Sequence, residues 1–220
     1  THIAGRGNDS TPGYNPWQNG IPATNAFFKY PERIAVAPDG AVYVADSMNY
    51  CVRKISPDGI INRFAGGGNG GMPPPFGVPA TNVTLGYPNS ISVAPNGSVY
   101  FTDNWYGWVC RVDPDGLIYL VAGDAADRAS GYAGDGGFAT NALLQNPCDA
   151  IALADGSLYI ADQGNSCIRR VGNEGIITTV VGGKNGYGGD MGAAYDASLG
   201  RSLKLAISPD EVSLYVADKD

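Results

Sequence analysis

The sequence has very little of the residue that carries most general acid–base chemistry. Histidine occurs once in 220 residues, as His2. A serine–histidine triad, a multi-histidine zinc site and histidine general-base catalysis therefore cannot be assembled from these residues. We expect no catalytic residue, no metal site and no cofactor.

Long apolar runs and long segments free of glycine and proline are also missing. The longest apolar run, Leu117 to Ala122, is far shorter than the ~20 residues that cross a bilayer. Only the segment from Ala41 to Ser56 exceeds eleven residues without glycine or proline. The sequence predicts neither a membrane span nor a long helix.

Basic charge is scarce as well. The chain has 14 lysines and arginines against 21 acidic residues, for a formal net charge of −7. A negatively charged chain without a basic cluster repels a phosphate backbone. We therefore expect no nucleic-acid partner.

A short motif recurs through the chain: tyrosine, an apolar residue, a small residue and aspartate. Its four copies are spaced by 57, 59 and 56 residues. They begin at Tyr43, Tyr100, Tyr159 and Tyr215. A regular period of this kind indicates an internal repeat, here over residues 6–65, 66–122, 123–181 and, in part, 182–220.

Each repeat contains two tight-turn signals, such as Asp39-Gly40 and the turn that ends at Gly59. Such turns between alternating apolar residues predict β-hairpins, and two hairpins make four strands. In the first repeat we place them near residues 33–37, 41–45, 51–56 and 60–65. A long loop, which itself repeats as Pro22 to Asn25 and Pro79 to Asn82, follows each fourth strand. This pattern predicts an all-β fold of four-stranded antiparallel propeller blades, with a linear solenoid as the weaker alternative.

Two segments, Ala161 to Val171 and Gly131 to Thr140, resemble NHL repeats. The resemblance implies a single β-propeller domain over residues 1–220, of a type that has six blades when complete. About three and a half blades are present, and we expect residues 1–5 to form a fourth strand. A four-bladed ring is arithmetically possible, but an arc of a larger ring is favoured because a cut at Asp220 leaves unpaired sheet edges.

The chain departs from the NHL pattern where that family has an asparagine–histidine–basic trio. Tyr50 and Ser166 stand at the histidine position, and Cys51 and Cys167 follow them. The peptidyl-hydroxyglycine lyase branch of NHL-like propellers, whose site resembles a metal centre with several histidines, is therefore excluded. The repeated aspartates, Asp46, Asp103, Asp162 and Asp218, are expected to accept local backbone N–H groups or to pair with Arg53 or Arg169, rather than to form a calcium ring.

Four cysteines, Cys51, Cys110, Cys148 and Cys167, are predicted to lie on one side of the sheets. We expect at least one disulfide, with Cys148 joined to Cys110 or Cys167, although free buried thiols are the alternative. Sequons at Asn8, Asn82 and Asn96 lie in predicted loops. Together these features favour an extracellular or cell-surface glycoprotein.

Aromatic residues form the remaining signal. They fall in the long loops and in the turn from Trp105 to Trp108, on a side of the sheets that we name the loop face. The set comprises Tyr14, Trp17, Phe76, Trp105, Tyr106, Trp108, Tyr132 and Tyr187. We predict that Tyr14, Trp17, Trp105, Tyr106 and Trp108 bind a partner; the alternative is that such aromatics pack beneath the loops.

The sequence as a whole predicts a non-enzymatic extracellular module that recognises a protein or a glycan, or that self-associates into a larger assembly. A propeller lactonase or lyase with metal ligands in further blades is the alternative. An intracellular module that binds RNA is disfavoured by the charge.

Overall fold

The repeats fold into successive antiparallel sheets in a computed structural model, which describes residues 2–6, 18–68, 76–125, 130–182, 184–185, 188–200 and 203–219. This part of the chain contains strands and short 3₁₀ turns and no α-helix. None of its helices is long and apolar enough to cross a membrane. The predicted all-β class with four-stranded antiparallel blades is confirmed.

The first sheet has five strands in the order β1-β5-β4-β3-β2. The strands are β1 (Ile21–Pro22), β2 (Pro31–Val36), β3 (Val42–Asp46), β4 (Cys51–Ile55) and β5 (Ile60–Gly66). Gly40 and Gly59 close its two hairpins with φ of 85° and 82°, a backbone conformation that favours glycine. The four long strands lie within about two residues of their predicted bounds.

The second and third sheets follow the same plan. The second sheet has β6 (Val78–Pro79), β7 (Ser92–Val93), β8 (Val99–Asp103), β9 (Trp108–Val112) and β10 (Leu117–Ala122). The third has β11 (Pro147–Ala152), β12 (Leu158–Asp162), β13 (Cys167–Val171) and β14 (Ile177–Gly182). The order is β6-β10-β9-β8-β7 in the second sheet and β11-β12-β13-β14 in the third.

The last repeat differs from the expected antiparallel plan. It contains a parallel pair, β15 (Lys184–Asn185) with β16 (Ser198–Leu199), before the antiparallel hairpin β17 (Leu203–Ile207) and β18 (Leu214–Asp218). The parallel pair lies in the loop that leads into the hairpin rather than in a blade. The described residues also form six 3₁₀ turns: η1 (Ala23–Asn25), η2 (Ser47–Asn49), η3 (Ala80–Asn82), η4 (Ala139–Asn141), η5 (Gln163–Asn165) and η6 (Ala194–Asp196).

The two-residue strands β1 and β6 were not expected from the sequence. Ile21 pairs with Ile61 and Val78 pairs with Ile118, so each loop before a blade lies along the outer edge of that blade. An edge strand tolerates proline, which explains why Pro22 can lie there. The pairing covers an edge that could otherwise recruit another strand.

The first strands of successive sheets, β2, β7, β11 and β17, contact one another. They are therefore innermost, as a propeller requires, and Arg33 of β2 reaches Asp149 of β11 at 3.1 Å. The cores lie between sheets: Val52 of the first sheet and Phe101 and Ile118 of the second belong to one buried cluster.

The expected fourth strand at residues 1–5 is not confirmed for the residues that the structure describes there. Residues 2–6 form no strand. Instead the backbone N–H of Gly5 donates to Ala23 O at 2.9 Å, and that of Arg6 donates to Ala26 O at 2.8 Å. The segment is therefore attached to η1 and to Ala26, the residue that follows it.

Candidate functional site

The repeated aspartates are structural, as predicted. Each closes the second strand of its blade and accepts a backbone N–H from the segment that enters the same blade. Lys29 N donates to Asp46 at 2.7 Å, Gln145 N to Asp162 at 2.7 Å and Gly200 N to Asp218 at 2.8 Å. In the second blade, Asp103 accepts from Gly86 N at 2.6 Å and Tyr87 N at 2.9 Å.

Two buried arginines support these aspartates in the first and third blades. Arg53 lies 3.8 Å from Asp46, and Arg169 lies 3.4 Å from Asp162. Desolvation by burial raises the pKa of Asp162 to about 6, although hydrogen bonds from Asn165 and Gln145 and the charge of Arg169 oppose the shift. The arrangement stabilises the blade and offers no exposed group for chemistry.

Arg169 also ties the preceding loop to its blade. Its Nη2 donates to Asp135 at 2.5 Å, and its guanidinium lies 5.1 Å from the centre of the Tyr132 ring. Burial raises the pKa of Asp135, but the hydrogen bonds from Thr179 and the charge of Arg169 outweigh it, so the pKa is lowered overall. Tyr132, which the sequence placed among the loop-face aromatics, belongs to this structural network.

The second blade replaces this polar network with aromatic packing. Cys110 pairs across the sheet with Phe101 in the same way that Arg53 pairs with Val44, so a cysteine occupies the arginine position. Phe76 packs edge-on against Trp108 with ring centres 6.0 Å apart, and the Tyr106 ring stacks on Trp108 at 4.5 Å. Asp103 therefore has no arginine at this position and relies on backbone N–H groups.

The prediction that Trp108 binds a partner is wrong. Trp108 is the first residue of β9, is 0% exposed and donates through Nε1 to Asp124 O at 3.2 Å. It lies in the core between the first two blades because the strand begins there, whereas the sequence placed it in a loop. Tyr106 is half-buried against it.

Trp105 differs from the other aromatics of this turn because its side chain is 77% exposed. It lies beside a cavity of about 550 Å³ between the first and second blades, which we name the interblade cavity. Its larger lining side chains are Met48, Tyr50, Leu85, Tyr87, Trp105 and Tyr106. Exposed apolar surface of this kind marks interaction sites.

Glycine allows two walls of the interblade cavity, residues 84–87 and residues 105–106 of the second blade, to approach each other. A Cβ atom on Gly86 would lie 2.7 Å from Trp105 Cβ and 2.9 Å from Tyr106 Cε2. Met48 and Tyr50 belong to the turn between β3 and β4, and Tyr50 has φ of 57°. Sequence reasoning missed four of the lining residues, Met48, Tyr50, Leu85 and Tyr87. They could have been found from the repeats, because they lie in turns and loops close to the turn that contains Trp105.

Several candidate residues lie outside the described part of the chain: Tyr14, Trp17, Tyr187 and the sequon residue Asn8. The other two sequon residues are exposed. Asn82 ends η3, whereas Asn96 lies in a hairpin turn and accepts from Ser98 N at 3.0 Å. Glycosylation at these three asparagines remains a prediction.

The expected disulfide is not present. Cys51, Cys110, Cys148 and Cys167 are all free and buried. Cys148 and Cys167 lie on β11 and β13 with β12 between them, and two strand spacings of ~4.8 Å exceed the ~7 Å limit between bridged Cα atoms. Cys51 and Cys110 lie in two other sheets. Sharing one side of the sheets does not bring them within bonding distance.

The described residues contain no group of three or more histidine, cysteine, aspartate or glutamate side chains arranged to hold a metal. Burial raises the pKa of Cys51 and Cys167 to about 12 and that of Cys148 to about 11. These thiols are therefore protonated near neutral pH, when they are poor ligands and poor nucleophiles.

Comparison with known proteins agrees with the repeat analysis. The family model described as NHL repeat matches residues 28–55. The chain is 32% identical over 158 residues to teneurin-3 of Mus musculus and 29% identical over 174 residues to teneurin-1 of Homo sapiens. These alignments cover 65% and 70% of this chain, which spans 6% of the length of either relative.

Solved structures share the fold at lower identity. An auxiliary nutrient binding protein of Bacteroides ovatus has a TM-score of 0.64 at 19% identity, over 88% of this chain and 46% of that one. A chain of a nidogen/laminin complex has a TM-score of 0.56 at 17% identity, over 86% and 57%. A gluconolactonase of Xanthomonas campestris has a TM-score of 0.56 at 18% identity, over 87% and 55%. The fold is a β-propeller, and the chain contains an NHL repeat at residues 28–55.

Proposed function

We propose that this chain is a non-enzymatic binding or assembly module whose loop face recognises a protein or a glycan. The observation that carries the proposal is Trp105, a large aromatic side chain that is 77% exposed beside an apolar cavity. Tryptophan is enriched among the few interface residues that supply most binding energy.

The neighbouring aromatics have packing partners, and this isolates Trp105. Phe76 and Tyr106 pack on Trp108, and Tyr132 packs on Arg169. Trp105 has no comparable ring contact among the described residues. Trp105 therefore takes no part in the aromatic packing that forms the core of the second blade.

The opposite side of the sheets offers less to a partner. Its turns are tight hairpins, such as Pro38 to Gly40 and Pro57 to Gly59, whose side chains are mostly exposed and small or polar. A small hairpin buries little apolar area on contact, so a partner gains more from the loop face.

The relatives support a role in recognition. A propeller with this fold occurs in the nidogen/laminin complex, where two proteins assemble. The similarity to teneurins and the exposed sequon residues Asn82 and Asn96 support a cell-surface or extracellular setting for the module. A second copy of the chain is one partner that this proposal admits.

An enzyme of the propeller lactonase class is the alternative, and the fold likeness to a gluconolactonase favours it. Metal analysis of the full-length protein separates the two functions. A stoichiometric bound metal and hydrolysis of gluconolactone would support the enzyme and contradict the proposal.

The direct test compares the wild-type chain with Trp105→Ala on arrays of extracellular protein domains and of glycans. The matched control is Phe138→Ala, since Phe138 is also a large exposed aromatic but lies at the outer edge of the third blade, paired with Ile176. We expect specific signals that Trp105→Ala loses and Phe138→Ala keeps. Signals that survive in Trp105→Ala would contradict a binding role for this side chain.

A further inference from the structure

The interblade cavity is uncharged, although it belongs to a chain of net charge −7. None of its ten lining residues carries an acidic or basic side chain. Transfer of a charged group into such a site would cost free energy because no lining side chain offers an opposite charge to pair with it. The cavity is therefore complementary to an uncharged apolar group.

Two polar side-chain groups of the lining are already bonded within the protein. The Thr84 hydroxyl donates to Gly68 O at 2.9 Å, and the Tyr87 hydroxyl donates to Glu32 at 2.9 Å. A sugar in this place would lose hydrogen bonds with water and could not use these two occupied hydroxyls to replace them, which disfavours its binding. An apolar side chain has no such requirement.

Buried Asp103 connects two walls of the cavity that both belong to the second blade, residues 84–87 and residues 105–106. It accepts the N–H of Gly86 at 2.6 Å and of Tyr87 at 2.9 Å from one wall. From the other wall it accepts the N–H of Tyr106 at 3.3 Å and a backbone hydrogen bond from Trp105. The two walls are thereby held in place before a ligand arrives, so that less conformational entropy is lost on binding.

We infer that the interblade cavity accepts an uncharged aromatic or aliphatic side chain of a protein partner, and that Asp103 is its positioning residue. This inference rests on the proposed function, and it names the chemistry that the same face recognises. A cavity of about 550 Å³ is within the usual range of ~300–1,000 Å³ for sites that enclose small organic groups.

Methionine methyl groups provide the readout. The chain has three methionines; Met48 lines the cavity and Met191 is fully exposed in another loop. Protein labelled with ¹³C at the methionine methyls is titrated with N-acetyl-tryptophan amide, N-acetyl-leucine amide and N,N′-diacetylchitobiose, and the Met48 signal is assigned with Met48→Leu. We expect a saturable shift of the Met48 methyl with the amino-acid amides, no shift with the disaccharide and no shift of Met191.

Two variants test the positioning role of Asp103. Asp103→Asn replaces one acceptor oxygen with a donor among four N–H groups, and Asp162→Asn makes the same change in the third blade, away from the cavity. We expect Asp103→Asn to weaken amide binding at least tenfold at unchanged Met191 shifts, and Asp162→Asn to bind as the wild type does. Equal binding by both variants would overturn the role of Asp103. If Asp103→Asn does not fold, Gly86→Ala serves in its place because it displaces the Trp105 wall that Asp103 holds. We expect the same loss of amide binding, and unchanged binding would overturn the role of Asp103.

The other outcomes separate this inference from the proposed function. The inference is overturned if only the disaccharide shifts the Met48 signal. It is also overturned if none of the three probes shifts that signal. If the array signals still depend on Trp105 in that case, the proposed function stands while the inference fails. If the amides shift Met48 but Trp105→Ala keeps every array signal, the inference stands for the cavity and the proposed loop-face contact fails.

Discussion

The guanidinium of Arg169 donates to the carboxylate of Asp135 at 2.5 Å, so that the third strand of a blade holds the loop that precedes the blade. Arg169 is fully buried, and it also approaches Asp162. In the first blade the equivalent Arg53 donates to the backbone O of Gln18 at 2.7 Å. The long loops of this propeller are thus attached to the sheets beneath them.

Loss of the Arg169 side chain should strongly destabilise the fold. Arg169→Ala leaves the buried carboxylate of Asp162 without its cation, and breaking a buried pair in this way costs about 3–5 kcal/mol. Arg170→Ala is the control because Arg170 is only half-buried and lies 3.6 Å from Asp155 at the surface. Its loss should change the free energy of unfolding by less than about 1 kcal/mol. Urea denaturation measures both, and equal effects would contradict the account of Arg169.

The two tryptophans of the second blade should respond in opposite ways to truncation. Trp108→Ala should lower the free energy of unfolding by about 3–5 kcal/mol, because it opens a cavity between the first two blades. Trp105→Ala should change it by no more than about 0.5 kcal/mol, as at other exposed positions. Thermal and urea unfolding of the two variants check this, and a large loss of stability in Trp105→Ala would assign Trp105 to packing.

The strands could be predicted because they depend on local signals. Asp39-Gly40 and Asp58-Gly59 fix the hairpins, and the alternation from Ala41 to Ala45 fixes the strand between them. The outer strands β1 and β6 could not be predicted in this way. Each is two residues long and ends in proline, and its pairing with β5 or β10 depends on the path of the preceding loop.

The candidate site was predictable in part. Trp105 lies on the loop face as expected, but Trp108 is buried three residues later, since periodicity is lost where this repeat departs from the others. The disulfide prediction failed because the order of the strands predicts which side of a sheet a cysteine lies on. It does not predict the distance between two cysteines. The cavity itself joins residues of two blades, such as Tyr50 and Tyr87, and arises only when the blades pack.

The four cysteines should remain reduced and unreactive in the native protein. Their thiol pKa values are raised by burial, so little thiolate is available to react at neutral pH. A disulfide-exchange reagent should label no cysteine in the folded chain and four after unfolding without reductant. Mass analysis counts the labels; fewer than four in the unfolded, non-reduced chain would show that a disulfide forms.

Asp162 should make stability depend on pH in a definite direction. Its pKa is raised to about 6 in the folded chain, against an ordinary value near 4 in the unfolded chain. The folded state therefore binds the proton more tightly, and the stability that this group contributes is fully present below about pH 4 and is lost as the pH rises through about 6. The unfolding free energy of the wild type minus that of Asp162→Asn should therefore decrease as the pH rises through this range. An increase would mean that the pKa is lowered instead.

Amide hydrogen exchange, measured with and without a partner found on the arrays, tests the central claim most directly. The loop face around the interblade cavity is the claimed contact surface, so binding should slow exchange in residues 48–50, 84–87 and 104–107 together. Exchange in the hairpin turns at residues 38–40 and 57–59 should not change. Slower exchange in those hairpin turns, with the three loop segments unaffected, would contradict the account.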